Sequence, residues 1–249
     1  MYTANLNCDM GEGYGRYELG NDKEMMYYIS SANIACGFHA GDPGTMSETV
    51  QLAIEKQVKI GAHPGLPDLH GFGRRFMQIT PEEAYQLVVY QTGALSGFLK
   101  AYNGKLSHVK PHGALYNMAA KDAEISKAIV QAVKDIDDTV TLFGLANSEL
   151  TKAAEEQGLP VAHEVFVDRT YQDDGTLTPR SQPNALQPNE EAAINQVIEM
   201  ITSNSVTTLS GRQIPIKADT ICIHGDSPFA LPFVKQLQAR FEKEGITLE

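Results

Sequence analysis

The feature that most constrains this chain is its alternation of short apolar runs with longer segments of helical period, repeated from end to end. That alternation is the signature of successive strand–helix units, and hence of a parallel sheet covered by helices. It predicts strands at Ala4–Asp9, Ile34–His39, Lys59–His63, Leu106–Lys110, Val140–Gly144, Val161–Val167 and Thr220–His224. The segments between them carry helix start signals. Asp42-Pro43 opens one, with Met46, Val50, Ala53 and Ile54 on its apolar stripe. Thr80-Pro81-Glu82-Glu83 combines a capping box with proline at the first helical position, and its stripe from Tyr85 to Tyr102 is long enough for about six turns. Asp122 and Asn147 head two more helices, Gly158 is a C-terminal stop, and Pro188 and Pro228 mark the starts of the last two.

Strands in this number predict one α/β domain over residues 1–249, a (β/α) barrel of about seven parallel strands. An open dinucleotide-binding sheet is the alternative. Gly11, Gly13 and Gly15 follow the first strand without the G-x-G-x-x-G spacing that such a sheet requires. Arg169 to Gln187 is polar, proline-containing and long, which predicts a lid, a binding loop or a disordered stretch. Val206–Leu209 and Gln213–Lys217, around Ser210-Gly211, predict a small hairpin.

Side chains in a strand alternate between faces, and that rule sorts the ionisable residues. Leu6 and Cys8 share one face of the first strand, and Asn7 and Asp9 the other. His108 and Lys110 oppose Val109, with His112 following on the same side. Glu164, Phe166 and Asp168 oppose His163, which is assigned to the helix-facing side and excluded from the site. The apolar sets suit packing against helices. The polar sets then point into the barrel and thicken toward the C-terminal strand ends, where barrels of this kind carry their catalytic loops. Glycine and proline turns follow those ends at Gly11, Gly41, Pro64-Gly65, Gly113 and Gly225.

Asp9, His63 and His112, each at a strand end, form a set able to bind a divalent metal with open positions, or equally to serve as structural hydrogen-bonding groups. Lys110 reads either as a general acid/base or as half of a buried ion pair with Asp9 or Glu12. His39 and His224 suit substrate binding, proton transfer or structural hydrogen bonding. Arg74, Arg75 and Arg169 suit bidentate recognition of carboxylate or phosphate, or are solvated loop charges.

Composition narrows the function classes. A net charge of -11 argues against nucleic acid or an anionic membrane as the main partner, but not against a small anionic substrate. Cys8, Cys36 and Cys222 are odd in number and lack CxxC spacing, which indicates buried thiols in a reducing compartment. The N-terminal MYTANLNCDMGEG has neither a basic n-region nor an apolar h-region, and no apolar run approaches the ~18 residues of a membrane span. A cytoplasmic protein is the expectation. P-loop, G-x-S-x-G and H-E-x-x-H motifs do not occur in the sequence.

Several strand-end segments match a known pattern. Leu6-Asn7-Cys8-Asp9-Met10-Gly11-Glu12-Gly13-Tyr14-Gly15 resembles the opening motif of the LamB/YcsF family. The resemblance continues through Asn33 to Pro43, Gly61 to Gly65, Gly71 to Arg75, Val109 to Tyr116, Glu164 to Arg169 and His224-Gly225-Asp226. It implies a barrel like those of glycoside hydrolase/deacetylase-type proteins. It also implies an A subunit that acts with separate B and C subunits in the ATP-dependent opening of 5-oxo-L-proline (pyroglutamate) to L-glutamate. ATP would be held by this chain or by its partners. In related barrels an Asp/His/His set binds the metal of a deacetylase, which gives the metal set Asp9, His63 and His112 its support. On this basis Asp9, Glu12, Lys110 and His112 are the expected catalytic residues. Asn7, His39, Arg74, Arg75, Arg169 and His224 are the expected substrate-binding residues. A stand-alone metal-dependent carbohydrate deacetylase or amidohydrolase is the alternative, and a binding subunit without chemistry of its own is a third reading.

Overall fold

The computed structural model describes residues 2–223 and 230–249; the expectations for His224 and Pro228 lie outside them. The chain begins with β1 (Tyr2–Met10), α1 (Asp22–Met25), β2 (Ser31–Ala35), α2 (Pro43–Glu55), β3 (Lys59–His63) and α3 (Pro81–Ala101). It continues through β4 (Leu106–Val109), α4 (Gly113–Ala119), α5 (Ala123–Ile136), β5 (Thr141–Leu145), α6 (Glu149–Glu156) and β6 (Val161–Phe166). It ends with α7 (Glu190–Ser203), β7 (Ser205–Thr207), β8 (Gln213–Pro215), β9 (Thr220–Ile223), α8 (Ala230–Glu244) and β10 (Ile246–Leu248).

β1, β2, β3, β4, β5, β6 and β9 pair in that order, all parallel, and β9 pairs back onto β1. The barrel is therefore closed, with seven strands and helices between them. β7 and β8 form the expected hairpin, antiparallel and outside the barrel. β10 extends the N-terminal end of β1, pairing Tyr2 with Ile246; its three residues are too short to give a period of their own.

Local chemistry explains the helix starts. Asp42 caps α2 by accepting from the Gly44 and Thr45 amides. Thr80 and Glu83 form the reciprocal capping box of α3, a device whose loss costs about 1 kcal/mol. Several strand ends shift by one or two residues, and two boundaries differ in a way that bears on the site. Ser148, not Asn147, caps α6, because Asn147 takes a left-handed turn at φ 63° just before it. β2 spans Ser31–Ala35 rather than Ile34–His39: its polar start was hidden by Ser31 and Asn33, which point into the barrel, and Gly37 at φ 88° ends the extended run. His39 therefore lies on a loop.

Leu6, Cys8 and Met10 of β1, like the apolar faces of the other strands, are buried against the helices. The barrel interior is filled differently, by hydrogen-bonded polar layers. Thr220 Oγ1 donates to Asn5 Oδ1 at 2.8 Å, and Asn7 Nδ2 donates to Thr220 Oγ1 at 2.8 Å. One layer up, Asn33 Nδ2 donates to Asn7 Oδ1 at 2.7 Å, and His108 Nε2 donates to Asn33 Oδ1 at 2.8 Å. Each of these groups would cost about 1–3 kcal/mol if buried without its partner, so their mutual satisfaction is what makes the interior tolerable. His108 also stacks on Phe143, with ring centroids 4.2 Å apart. Its imidazole occupies the space a β-carbon would take at Gly61 on β3. Gly61→Ala should therefore destabilise the fold by about 1–3 kcal/mol in urea denaturation, the range for overpacking a filled core. Unchanged stability would mean that the His108 ring does not pack against Gly61 of β3.

Candidate active site

The polar layers end in a cavity of about 360 Å³ at the C-terminal strand ends, lined by Asp9, His63, Lys110, His112, Tyr116 and Arg169 among others. At its floor Lys110 is buried, with its ammonium 3.0 Å from Asp9 Oδ1 and 2.9 Å from Glu164 Oε1. It also donates to Asn7 Oδ1 at 3.2 Å and to Cys222 Sγ at 3.2 Å. Of the two ion-pair partners expected for Lys110, Asp9 is found; the second carboxylate is Glu164 rather than Glu12. Burial opposes the charge on Lys110, but Asp9, Cys222 and Glu164 together hold its pKa well above the ordinary lysine range. Burial likewise opposes the Asp9 carboxylate, and there His63 and Lys110 prevail, keeping it well below the usual range.

Asp9 Oδ1 also accepts from Asn33 Nδ2 at 2.8 Å, and Asp9 Oδ2 lies 3.3 Å from His63 Nε2. The two histidines at the floor have their tautomers set by backbone. His63 Nδ1 lies 2.7 Å from the Lys110 carbonyl, and His112 Nε2 lies 2.8 Å from the Phe72 carbonyl. A carbonyl oxygen only accepts, so both of those nitrogens carry hydrogen. Their other nitrogens, His63 Nε2 and His112 Nδ1, face each other at 2.9 Å with the rings nearly perpendicular. In the neutral tautomers this sets lone pair against lone pair, which requires a proton or a cation between them. Glu12 Oε1 is 3.8 Å from His112 Nδ1 and 3.6 Å from His39 Nε2.

Glu12, His39, His63 and His112 each offer a ligand atom, all within 4.8 Å of one another, so a cluster able to hold a metal ion is present. His39, however, stacks on His112 with ring centroids 3.6 Å apart and an interplanar angle of 3°. Rings parallel at that separation cannot both direct in-plane lone pairs at one ion. His39 is therefore a cover over His112, wedged where Gly65 and Gly73 lack a β-carbon. Of the expected metal set Asp9, His63 and His112, the two histidines belong to this cluster, and Asp9 Oδ2 lies 3.3 Å from His63 Nε2.

The remaining expected residues fall in different places. Asn7 lies beneath the cavity in the hydrogen-bonded interior. Arg74 lines the cavity, its guanidinium 4.9 Å from the centre of the Phe72 ring. Arg75 does not line it: its Nε donates to Asp68 Oδ1 at 2.9 Å, and its side chain is 67% exposed. Arg169 lines the cavity and also ties down the long loop, donating from Nη2 to the Thr178 carbonyl at 2.6 Å. That loop is an ordered wall, with bridges Arg169–Leu186 and Tyr171–Leu177. His163 faces α6 and Glu155 at 3.1 Å, outside the barrel as its alternation required.

Glu164, Tyr116 and Cys222 belong to the site without having been selected. Strand alternation had placed Glu164 on an inward face, whereas Tyr116, on the short α4, entered only through the family resemblance of Val109 to Tyr116. Arg180 and Lys121 at the rim carried none either.

Burial, with Lys110 next in weight, holds His108 down to about 3, and burial with His63 does the same for His112. Both start from 6.5, so the unfolded chain takes up protons below that pH while the folded chain does not. Stability is complete above about pH 6.5 and is lost as pH falls toward 3, by up to about 1.4 kcal/mol per unit for each group. Urea denaturation across that window, in the presence of a chelator, should show this slope, and His108→Asn should reduce it by one proton. An unchanged slope in that variant would contradict the neutral, buried His108.

A closed (β/α) barrel with a carboxylate–histidine–lysine cluster at the strands' C-terminal ends belongs to the class of barrels that carry an active site there. The LamB/YcsF family model matches residues 4–249, and the chain belongs to that family. It is 58% identical over 246 residues to the A subunit of 5-oxoprolinase from Bacillus subtilis, covering 99% of this chain and 96% of that protein. It is 57% identical over 248 residues to the protein of the same name in Brevibacillus brevis, covering 100% and 98%. The crystal structure of the lactam utilization protein from Thermus thermophilus superposes with a TM-score of 0.93 at 43% identity, covering 99% of both chains. Among the described residues no helix is long and apolar enough to cross a membrane.

Proposed function

We propose that this chain is the A subunit of a 5-oxoprolinase, which opens the lactam of 5-oxo-L-proline to L-glutamate with hydrolysis of ATP, within a multi-subunit enzyme that includes B and C subunits. The observation that carries the reading is full-length identity near 58% to proteins of that name, with a carboxylate–histidine–lysine cavity where a barrel places its chemistry.

The γ-lactam is an unstrained amide, so attack by water needs an activated carbonyl and a proton for the departing nitrogen. ATP supplies the activation by phosphorylating the lactam oxygen; two waters are then consumed in giving glutamate, ADP and phosphate. Glu12, beside His112 and His39, is placed to take a proton from the attacking water. Asp9 is committed to Lys110, Asn33 and His63, so its part is to hold those groups rather than to exchange protons. The Lys110 ammonium stabilises negative charge developing above it, and the His63–His112 pair is the proton donor toward nitrogen.

A divalent cation in place of the shared proton is the alternative, in which Glu12, His63 and His112 serve as ligands and not as base and proton donor. The two facing nitrogens, 2.9 Å apart, are the kind of neutral imidazole donors that a divalent cation takes. When bound it would polarise the lactam carbonyl. The same facing lone pairs favour the second reading, a metal-dependent amidohydrolase or deacetylase that works alone.

Glutamate release from 5-oxo-L-proline distinguishes the two. The chain with its B and C partners should release glutamate only with ATP, and Asp9→Asn or His112→Ala should lower the rate by at least about a hundredfold without loss of fold. Deacetylation by the chain alone, abolished by a chelator, would replace the first reading with the second.

A further inference from the structure

The cavity has an apolar side. Apart from the main core, which packs the strands against their helices, a second and smaller cluster of buried residues consists of Tyr116, Leu145, Phe166 and Cys222, with Ala120 and Leu177 packed against it. Strand alternation puts this cluster on the inner face of the barrel. Leu145 is two residues beyond Phe143, whose ring stacks on the interior His108. Phe166 is two residues beyond Glu164, which pairs with Lys110. All of the cluster except Cys222 lines the cavity.

The order of strands gives the cavity two unlike sides. Asp9, His63, Lys110 and His112 come from β1, β3 and β4 or the residues just after them, whereas Leu145 and Phe166 end β5 and β6. Tyr116 on α4 meets Phe166 edge to face, with ring centroids 5.9 Å apart. The Tyr116 hydroxyl is buried beside Glu164, so it offers a ligand no polar group. Leu177 belongs to the ordered loop after β6. The two sides join where the Lys110 ammonium stands 5.7 Å from the centre of the Phe166 ring. A small molecule bound at that junction meets charge along one edge and hydrocarbon along the other.

We propose that Leu145, Phe166 and Leu177, with the Tyr116 ring, form the seat for the ring methylenes of the lactam and so determine the specificity of the site. The assignment rests on the lactam-opening reading and deepens it. In 5-oxo-L-proline the amide and carboxylate are polar, and the two adjacent ring methylenes form the hydrocarbon edge. Seated on the wall, that edge leaves water for an apolar surface and turns the amide toward Lys110 and the His63–His112 pair. Apolar walls with a few convergent polar groups are the usual means of binding and orienting a small ligand.

The test is glutamate release by the chain with its B and C partners and ATP, with kcat and KM resolved. Leu177→Ala should raise KM for 5-oxo-L-proline about tenfold and change kcat far less, because the lost contact is made equally in the ground and transition states. Leu177→Met should restore most of the loss. Ala120→Leu, which fills the seat instead of emptying it, should raise KM as well. Leu209→Ala, exposed on the hairpin and outside the cavity, should leave both constants unchanged. 3-Hydroxy-5-oxo-L-proline, with a hydroxyl on the seated edge, should be the poorer substrate of the wild type, and Leu177→Asn should narrow that gap. Circular dichroism checks that each variant is folded. A wall that only shields the Lys110–Glu164 pair from water would move kcat and its pH dependence but not KM. That result, or a KM and a substrate preference indifferent to Leu177 and Ala120, would overturn the seat and leave the lactam-opening reading standing. No glutamate from the wild-type complex would overturn both.

Discussion

Lys110 ties this molecule together twice. Its backbone carbonyl fixes the tautomer of His63, and its ammonium holds Asp9 against that same imidazole. The ammonium is tolerated inside the barrel because two carboxylates and the Asn7 amide oxygen surround it. Removing one member of such a buried set costs about 3–5 kcal/mol, since the charge left behind has no water to turn to. The polar layers below serve the same end. Asn5, Asn7, Asn33, Thr220 and His108 pass hydrogen bonds up the barrel axis, so the floor of the cavity rests on groups that cannot rotate independently.

From that arrangement the chemistry follows. With their N–H groups committed to carbonyls, His63 and His112 can only present lone pairs to each other and to the cavity. They are thereby poised to share a proton or to bind a cation, and Asp9 and Glu12 supply negative charge on either side. His39 closes the top of this unit by stacking, and Gly65 and Gly73 are glycines because that ring needs their space. The long loop after β6 forms the wall, and its buried Arg169 keeps that wall in place.

Much of this was legible in the sequence because two periodicities are strong. Alternation in β1, β4 and β6 separated Asp9, Lys110 and Glu164 from their apolar neighbours, and it excluded His163 correctly. Capping chemistry at Asp42, Thr80 and Asp122 located three helices. Other features were not legible, for physical reasons. β2 begins with polar residues that pack inward, so its period could not be told from a loop. β10 is too short to have a period. Arg75 differs from Arg74 only in three-dimensional placement, because Asp68, seven residues earlier, captures its guanidinium.

The central claim is that backbone carbonyls fix His63 and His112 so that Nε2 of one faces Nδ1 of the other. Nitrogen-15 NMR of the histidine-labelled, chelator-treated chain at neutral pH tests it directly. The account predicts hydrogen on His63 Nδ1 and His112 Nε2 throughout, at most one proton shared between the two facing nitrogens, and signals of those two nitrogens that shift when zinc is added. A His63 protonated solely on Nε2, or a His112 protonated solely on Nδ1, would contradict it.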